Sequence, residues 1–114
     1  MPNAYYSIPV GENSDAINAV GAALLDHFGE GVTIHYQSTQ NLIFSCPAIT
    51  DKVIRLYVSY VRPQVYYGDE WTSGTSVTNE VQFAGYNAGT SSECHLVLGD
   101  NFFFLNWINS TIWS

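Results

Sequence analysis

Ser14-Asp15-Ala16-Ile17-Asn18-Ala19-Val20-Gly21-Ala22-Ala23-Leu24-Leu25-Asp26-His27-Phe28 and, just after it, Val32-Thr33-Ile34-His35-Tyr36-Gln37 differ in hydrophobic period, and that difference decides the fold. In the first stretch Ile17, Val20, Gly21, Leu24, Leu25 and Phe28 recur at the spacing of a single helical stripe. Asn13 or Ser14 is placed to cap the first amides, Asp15 suits the positive end of the helix dipole, and Gly29 supplies a left-handed stop. The pattern predicts a helix over 14–28, kept slim by Ala16, Ala19, Ala22 and Ala23, with Asn18, Asp26 and His27 toward water.

From residue 31 the period changes to two. Val32, Ile34 and Tyr36 alternate with Thr33, His35 and Gln37, and Leu42-Ile43-Phe44-Ser45-Cys46 follows the turn-like Ser38-Thr39-Gln40, which predicts a hairpin ended by Pro47. A long third strand is expected from about Lys52 to Arg62, with Ile54, Leu56, Val58 and Tyr60 on one face and Val53, Arg55, Tyr57, Ser59 and Val61 on the other. Pro63 and Gly68-Asp69-Glu70 mark breaks that leave Gln64–Tyr67 as a short extension or edge strand. The Gly-, Thr-, Ser- and Asn-rich stretch 68–92 reads as one strand between two loops, with Val77, Asn79, Val81 and Phe83 alternating against Thr78, Glu80 and Gln82. Glu93–Leu98 and Phe102–Ile108 flank Gly99-Asp100-Asn101 as a second hairpin. The expected fold is α+β: one amphipathic helix packed on an antiparallel sheet of about six strands, in a single domain spanning 1–114. The far face of that sheet is apolar enough to call for a cover, which another subunit is suited to provide.

Composition narrows the function. Hydrophobic residues make up 46% of the chain, enough to offset ordering entropy, but charged residues only 11%, where roughly 25% is typical of soluble domains. Few charges mean weak repulsion between copies and few long side chains to immobilise on association, which suits permanent neighbours. Lys52, Arg55 and Arg62 are the only cations against ten carboxylates, a net charge of −7 that argues against nucleic acid and against an anionic membrane surface. No apolar run approaches the roughly 20 residues that span a bilayer, so a soluble chain is expected. Met1-Pro2-Asn3-Ala4-Tyr5-Tyr6 has neither the basic region nor the apolar stretch of a secretory signal, which predicts synthesis in a cytoplasm without export. Cys46 and Cys94 have no Cys-x-x-Cys spacing and read as two reduced thiols within strands.

The Lys-poor C-terminal half, from Tyr66-Tyr67-Gly68-Asp69 through Gly99-Asp100-Asn101-Phe102-Phe103-Phe104-Leu105-Asn106-Trp107, resembles small virion proteins of tailed bacteriophages in the texture of its composition. The resemblance implies a capsid-accessory, head–tail or tail component, made in the host cytoplasm and assembled into symmetric multimers in the virion. It carries over no site residues.

No catalytic constellation stands out. His27 belongs to the outer helix face, while His35 and His95 are in strands; Cys94 and His95 are neighbours in a strand and point to opposite faces, so they form no nucleophile–base pair, which leaves Cys46 with His35 or His95 as the remaining arrangement. No His, Cys or carboxylate spacing matches a zinc or calcium motif, and Gly85-Tyr86-Asn87-Ala88-Gly89 precedes no helix that would cradle a phosphate. Neither an enzyme, a metal nor a cofactor is therefore expected. What the residues do offer is contact area. Tyr66, Tyr67 and Trp71 adjoin a turn and are expected to be exposed, and the apolar, uncharged end with Trp107, Ile108, Ile112 and Trp113 is expected either to pack on its own domain or to insert into a neighbouring copy. Two functions follow as expectations: a non-enzymatic assembly subunit acting through copies of itself and other structural proteins, or a carbohydrate- or receptor-binding module with an exposed Tyr/Trp patch.

Overall fold

The computed structural model describes residues 2–9, 12–59, 62–85, 94–107 and 110–113; at 62, 85, 107 and 110–113 it describes the backbone. Helix α1 spans Asn13–Phe28, and its buried side is Ala16, Ile17, Val20, Gly21, Ala23 and Leu24. It begins one residue earlier than the periodicity predicts: Glu12 is the N-cap and makes no side-chain cap hydrogen bond. It ends at Gly29, whose φ of +56° is open to glycine and whose N–H donates to the Leu25 carbonyl. Leu25, expected in the apolar stripe, is 50% exposed, because the stripe that meets the core is narrower than its apolar residues.

The strands are β1 (Ala4–Ile8), β2 (Thr33–Gln37), β3 (Asn41–Ser45), β4 (Val53–Ser59), β5 (Arg62–Gly68), β6 (Trp71–Ser73), β7 (Ser76–Val77), β8 (Val81–Gly85), β9 (Cys94–Leu98), β10 (Phe103–Trp107) and β11 (Ser110–Trp113). They form a four-stranded sheet of order β1-β9-β10-β11, a five-stranded sheet of order β2-β3-β4-β5-β8 and a small ribbon β6-β7, all antiparallel. The α+β arrangement with one helix on antiparallel sheet stands. Its strands are shared between two principal sheets, and the cover expected over the apolar sheet face comes from the chain itself. Leu42, Phe44, Ile54, Leu56, Val58 and Val65 of the five-stranded sheet, Leu96, Leu98, Phe103 and Leu105 of the four-stranded sheet, and Ile17, Val20 and Leu24 of α1 belong to one core. Burying each such side chain stabilises the fold by about 1.5–3 kcal/mol.

Several sequence expectations change. The stretch 52–62 is two strands, since β4 and β5 pair antiparallel with Ser59 opposite Arg62. Gln64–Tyr67 is the middle of β5, an internal strand between β4 and β8. The alternation over Val77–Phe83 is broken at Asn79, which adopts a φ of +51°, so Val77 ends β7 and Val81 starts β8. Residues 4–8, read without a strand, pair with β9 along their whole length. The two thiols are free and buried. No described helix is long and apolar enough to cross a membrane.

Candidate functional site

A one-residue irregularity in β2 arranges the outer face of the five-stranded sheet. Ile34 pairs with Phe44 and Tyr36 with Ile43, so His35 is an extra residue and the alternation shifts after it. Gln37 consequently faces α1, where its amide donates to the Asn18 side chain at 2.7 Å, while His35 and Tyr36 both belong to the outer side. There His35 Nε2 and Ser45 Oγ are 2.7 Å apart, and the Trp71 indole lies on the imidazole, ring centroids 5.4 Å apart and planes within 14°.

Arg55 is the centre of the same face. Its cross-strand neighbours are Ile43 on β3 and Tyr66 on β5, and Tyr57 follows it by one pleat. The guanidinium sits 4.2 Å from the Tyr66 ring centre and 5.7 Å from that of Tyr57, a cation–π arrangement. It donates to both carboxylate oxygens of Glu80, at 2.9 and 2.8 Å, and to the Asn41 amide oxygen at 3.0 Å. The Glu80 hydrogen bond holds its pKa above the ordinary arginine value. Tyr66 in turn donates to Gln64 at 2.5 Å.

These contacts fasten the 69–80 segment over the sheet. Asp69 N–H donates to Thr78 O and Thr78 N–H to Glu70 O, both at 2.8 Å, and Trp71 Nε1 donates to Gly74 O at 2.8 Å. Gly68 lets the segment close in, because a Cβ there would stand 2.3 Å from Val77 Cγ1 and 2.8 Å from the Thr78 carbonyl. Ile43, an outer-face residue, is left with no exposed surface. Outside this cap, Lys52 and Asp69 pair at 2.8 Å, and the Lys52 bond holds the Asp69 carboxyl below its usual range.

Of the aromatic residues expected to form one exposed patch, Tyr66 and Trp71 are both half-buried and both on the outer face, Tyr66 on β5 beside Arg55 and Trp71 over His35 of β2, with β3 and β4 between. Tyr67 is a correction. As the next residue of the strand it points inward, packs on the core, stacks on Phe83 at 4.8 Å, and its hydroxyl is buried without a hydrogen-bond partner among the described residues. Burial pushes that phenol up to about 12. Ile108 and the side chains of Trp107, Ile112 and Trp113 lie outside the described residues; the backbone of Trp107, Ile112 and Trp113 belongs to the β10–β11 pair of the chain's own sheet.

The thiols and histidines are kept apart by the same alternation. Cys46 and Cys94 are core residues, whereas His35 and Ser45 belong to the outer face of one sheet and His95 to that of the other, where Tyr5 stacks on it and hydrogen-bonds its Nδ1. Burial raises both thiols, that of Cys94 to about 12. The Ser45–His35 pair has the two atoms from which a nucleophile–base arrangement starts, but no carboxylate orients the imidazole among the described residues, and Trp71 covers one ring face. Among the described residues no group of three or more His, Cys, Asp or Glu gathers as metal ligands.

The strand edges complete the contact inventory. The outermost strands of the two sheets read Ala4-Tyr5-Tyr6-Ser7-Ile8, Ser110-Thr111-Ile112-Trp113, Thr33-Ile34-His35-Tyr36-Gln37 and Val81-Gln82-Phe83-Ala84-Gly85, without one Lys, Arg, Asp or Glu. Val81 and Phe83 are 68% and 48% exposed. No family model, curated protein or solved structure matches the chain.

Proposed function

We propose that this chain is a non-enzymatic assembly subunit that works through contacts with copies of itself and with other structural proteins. One observation carries the reading: among the described residues, the edge strands β1 and β2 of the principal sheets, like β8 and β11 that lie beside each other, contain no Lys, Arg, Asp or Glu. An uncharged edge presents unpaired backbone N–H and C=O groups as a template for another strand, and proteins that stay monomeric commonly blunt such edges with Lys, Pro or inward charges. The compositional resemblance to small virion proteins of tailed bacteriophages extends this reading to a capsid-accessory, head–tail or tail component. The test is the mass of the purified chain by light scattering from micromolar to millimolar concentration. A defined multimer is expected; a monomer throughout that range overturns the proposal.

The joint placement of Tyr66 and Trp71 with Tyr36 and Tyr57 on one face favours a second reading, a carbohydrate- or receptor-binding module. It ranks lower because the polar groups there already satisfy one another: Arg55 with Glu80 and Asn41, Tyr66 with Gln64, His35 with Ser45. Quenching of tryptophan emission by a glycan, lost in Trp71→Ala, is its expected signature, and unchanged emission across a glycan panel removes it.

A further inference from the structure

Resting on the assembly reading, we propose that two copies exchange β1, each strand pairing with β9 of the other chain in the register it takes with its own. The edge of β9 specifies its occupant. β1 pairs with β9 from Ala4 opposite Leu98 to Ile8 opposite Cys94, and β10 holds the other side of β9. Ile8 is a core residue at 4% exposure, Tyr6 packs on the core and donates to Asp26 of α1 at 2.8 Å, and Tyr5 stacks on His95. An unrelated strand brings backbone alone to that edge, whereas β1 of a second copy brings the same side chains. Exchange therefore keeps the contacts of the closed chain, and the balance between the two forms rests on the connector and on the entropy of association.

The connector is short. Residues 9–12 join β1 to α1. Pro9 fixes its own φ and favours extended backbone at Ile8, while Glu12, at the other end, is also extended, with φ −135° and ψ 156° and no side-chain bond to the helix it precedes. Extended backbone at both ends favours a strand that swings outward over one that folds back tightly, the setting in which chains trade an element. Sequence distance acts in the same direction. β9 lies some ninety positions beyond β1, so no local pairing commits β1 to its own chain.

The experiment reads which chain each β9 is paired with. Ser7→Cys/His95→Cys and Tyr5→Cys/Val97→Cys put thiols on residues that face each other across the β1–β9 pair, with Cβ atoms within about 5.5 Å. The multimers are oxidised and run on denaturing, non-reducing electrophoresis, with the single variants as controls for Cys46 and Cys94. Covalent dimers are expected from the double variants. In parallel, Gly-Gly-Ser inserted between Pro9 and Val10 gives β1 the slack to return to its own β9, and is expected to shift the light-scattering mass from multimer to monomer with circular dichroism unchanged. Should neither cysteine pair oxidise, the connector variant decides. A multimer that yields only intrachain disulfides, or that keeps its mass when the connector is lengthened, overturns the exchange and leaves the assembly reading standing, whereas a monomeric native chain overturns the assembly reading itself.

Discussion

Arg55 and Glu80 meet in a two-pronged ion pair at 2.9 and 2.8 Å, with side chains only 16% and 20% exposed. Removing one partner from so enclosed a pair strands the other charge. Glu80→Ala is expected to destabilise the fold by about 3 kcal/mol in urea unfolding, and the double variant Arg55→Met/Glu80→Leu by less than that single change. A Glu80→Ala loss below about 0.5 kcal/mol, the scale of a surface pair, counts against the role given to this cap.

Leu24 and Leu25 are neighbours with opposite fates, 1% and 50% exposed. Leu24 also lines a wholly apolar cavity of about 20 Å³ between the helix and the two sheets, with Val20, Phe44, Ile54, Leu96 and Leu105 among its walls. Leu24→Ala is expected to cost about 3 kcal/mol or more, because it enlarges a void the surroundings do not fill. Leu25→Ala is expected to cost under about 1 kcal/mol. Equal losses in denaturant titration show that the helix is seated differently.

Alkaline pH acts on Cys94 and Tyr67. Burial lifts their ionisations from ordinary values of 9.0 and 10.0 to about 12 in the folded chain. Between those limits the unfolded chain releases protons that the folded chain keeps, so stability is undiminished by these groups below about pH 9 and falls as pH rises toward 12. Each group contributes up to about 1.4 kcal/mol per pH unit inside its own window. Thermal midpoints measured from pH 8 to 11 are expected to decline, and Cys94→Ala and Tyr67→Phe to flatten the decline; parallel profiles for variants and native chain argue against these two groups as its cause.

Gly68→Ala is expected to be among the most damaging single-methyl additions, at about 2 kcal/mol or more, because the new Cβ meets both Val77 and the Thr78 carbonyl, and backbone does not step aside. In a Trp107→Phe/Trp113→Phe background the Trp71 emission is expected to shift to the red as the ribbon lifts from His35. Unaltered emission and stability mean that the segment is not held in this close approach.

The helix and the hairpins at 33–45 and 94–107 were legible because each declares itself within a few residues, through a stripe, an alternation or a turn. β1 was not, since its five residues are ordered by β9, some ninety positions away in the chain. The shift at His35 left no compositional mark, and it alone decides that Tyr36 is outside and Gln37 beneath the helix. Arg55–Glu80 joins a strand to a loop across 25 positions, a relation that periodicity does not carry. The separation of Tyr66 from Tyr67 was different: two consecutive residues of a strand face opposite ways, so the alternation that placed Arg55 outward also placed only one tyrosine of the pair beside it.

Residues 33–85 contain the whole five-stranded sheet as successive local pairings, whereas the other sheet needs residues 4–8 and 94–113 together. On a ribosome that feeds the chain out from its N-terminus, β1 is made before its neighbour β9 and waits for it until residues 94–98 have emerged. In that interval the apolar side of α1 and the inner face of the five-stranded sheet have only each other, and Tyr5, Tyr6 and Ile8 have no strand to join. Emergence of residues 94–107, more than any single turn, then becomes the event that closes the molecule.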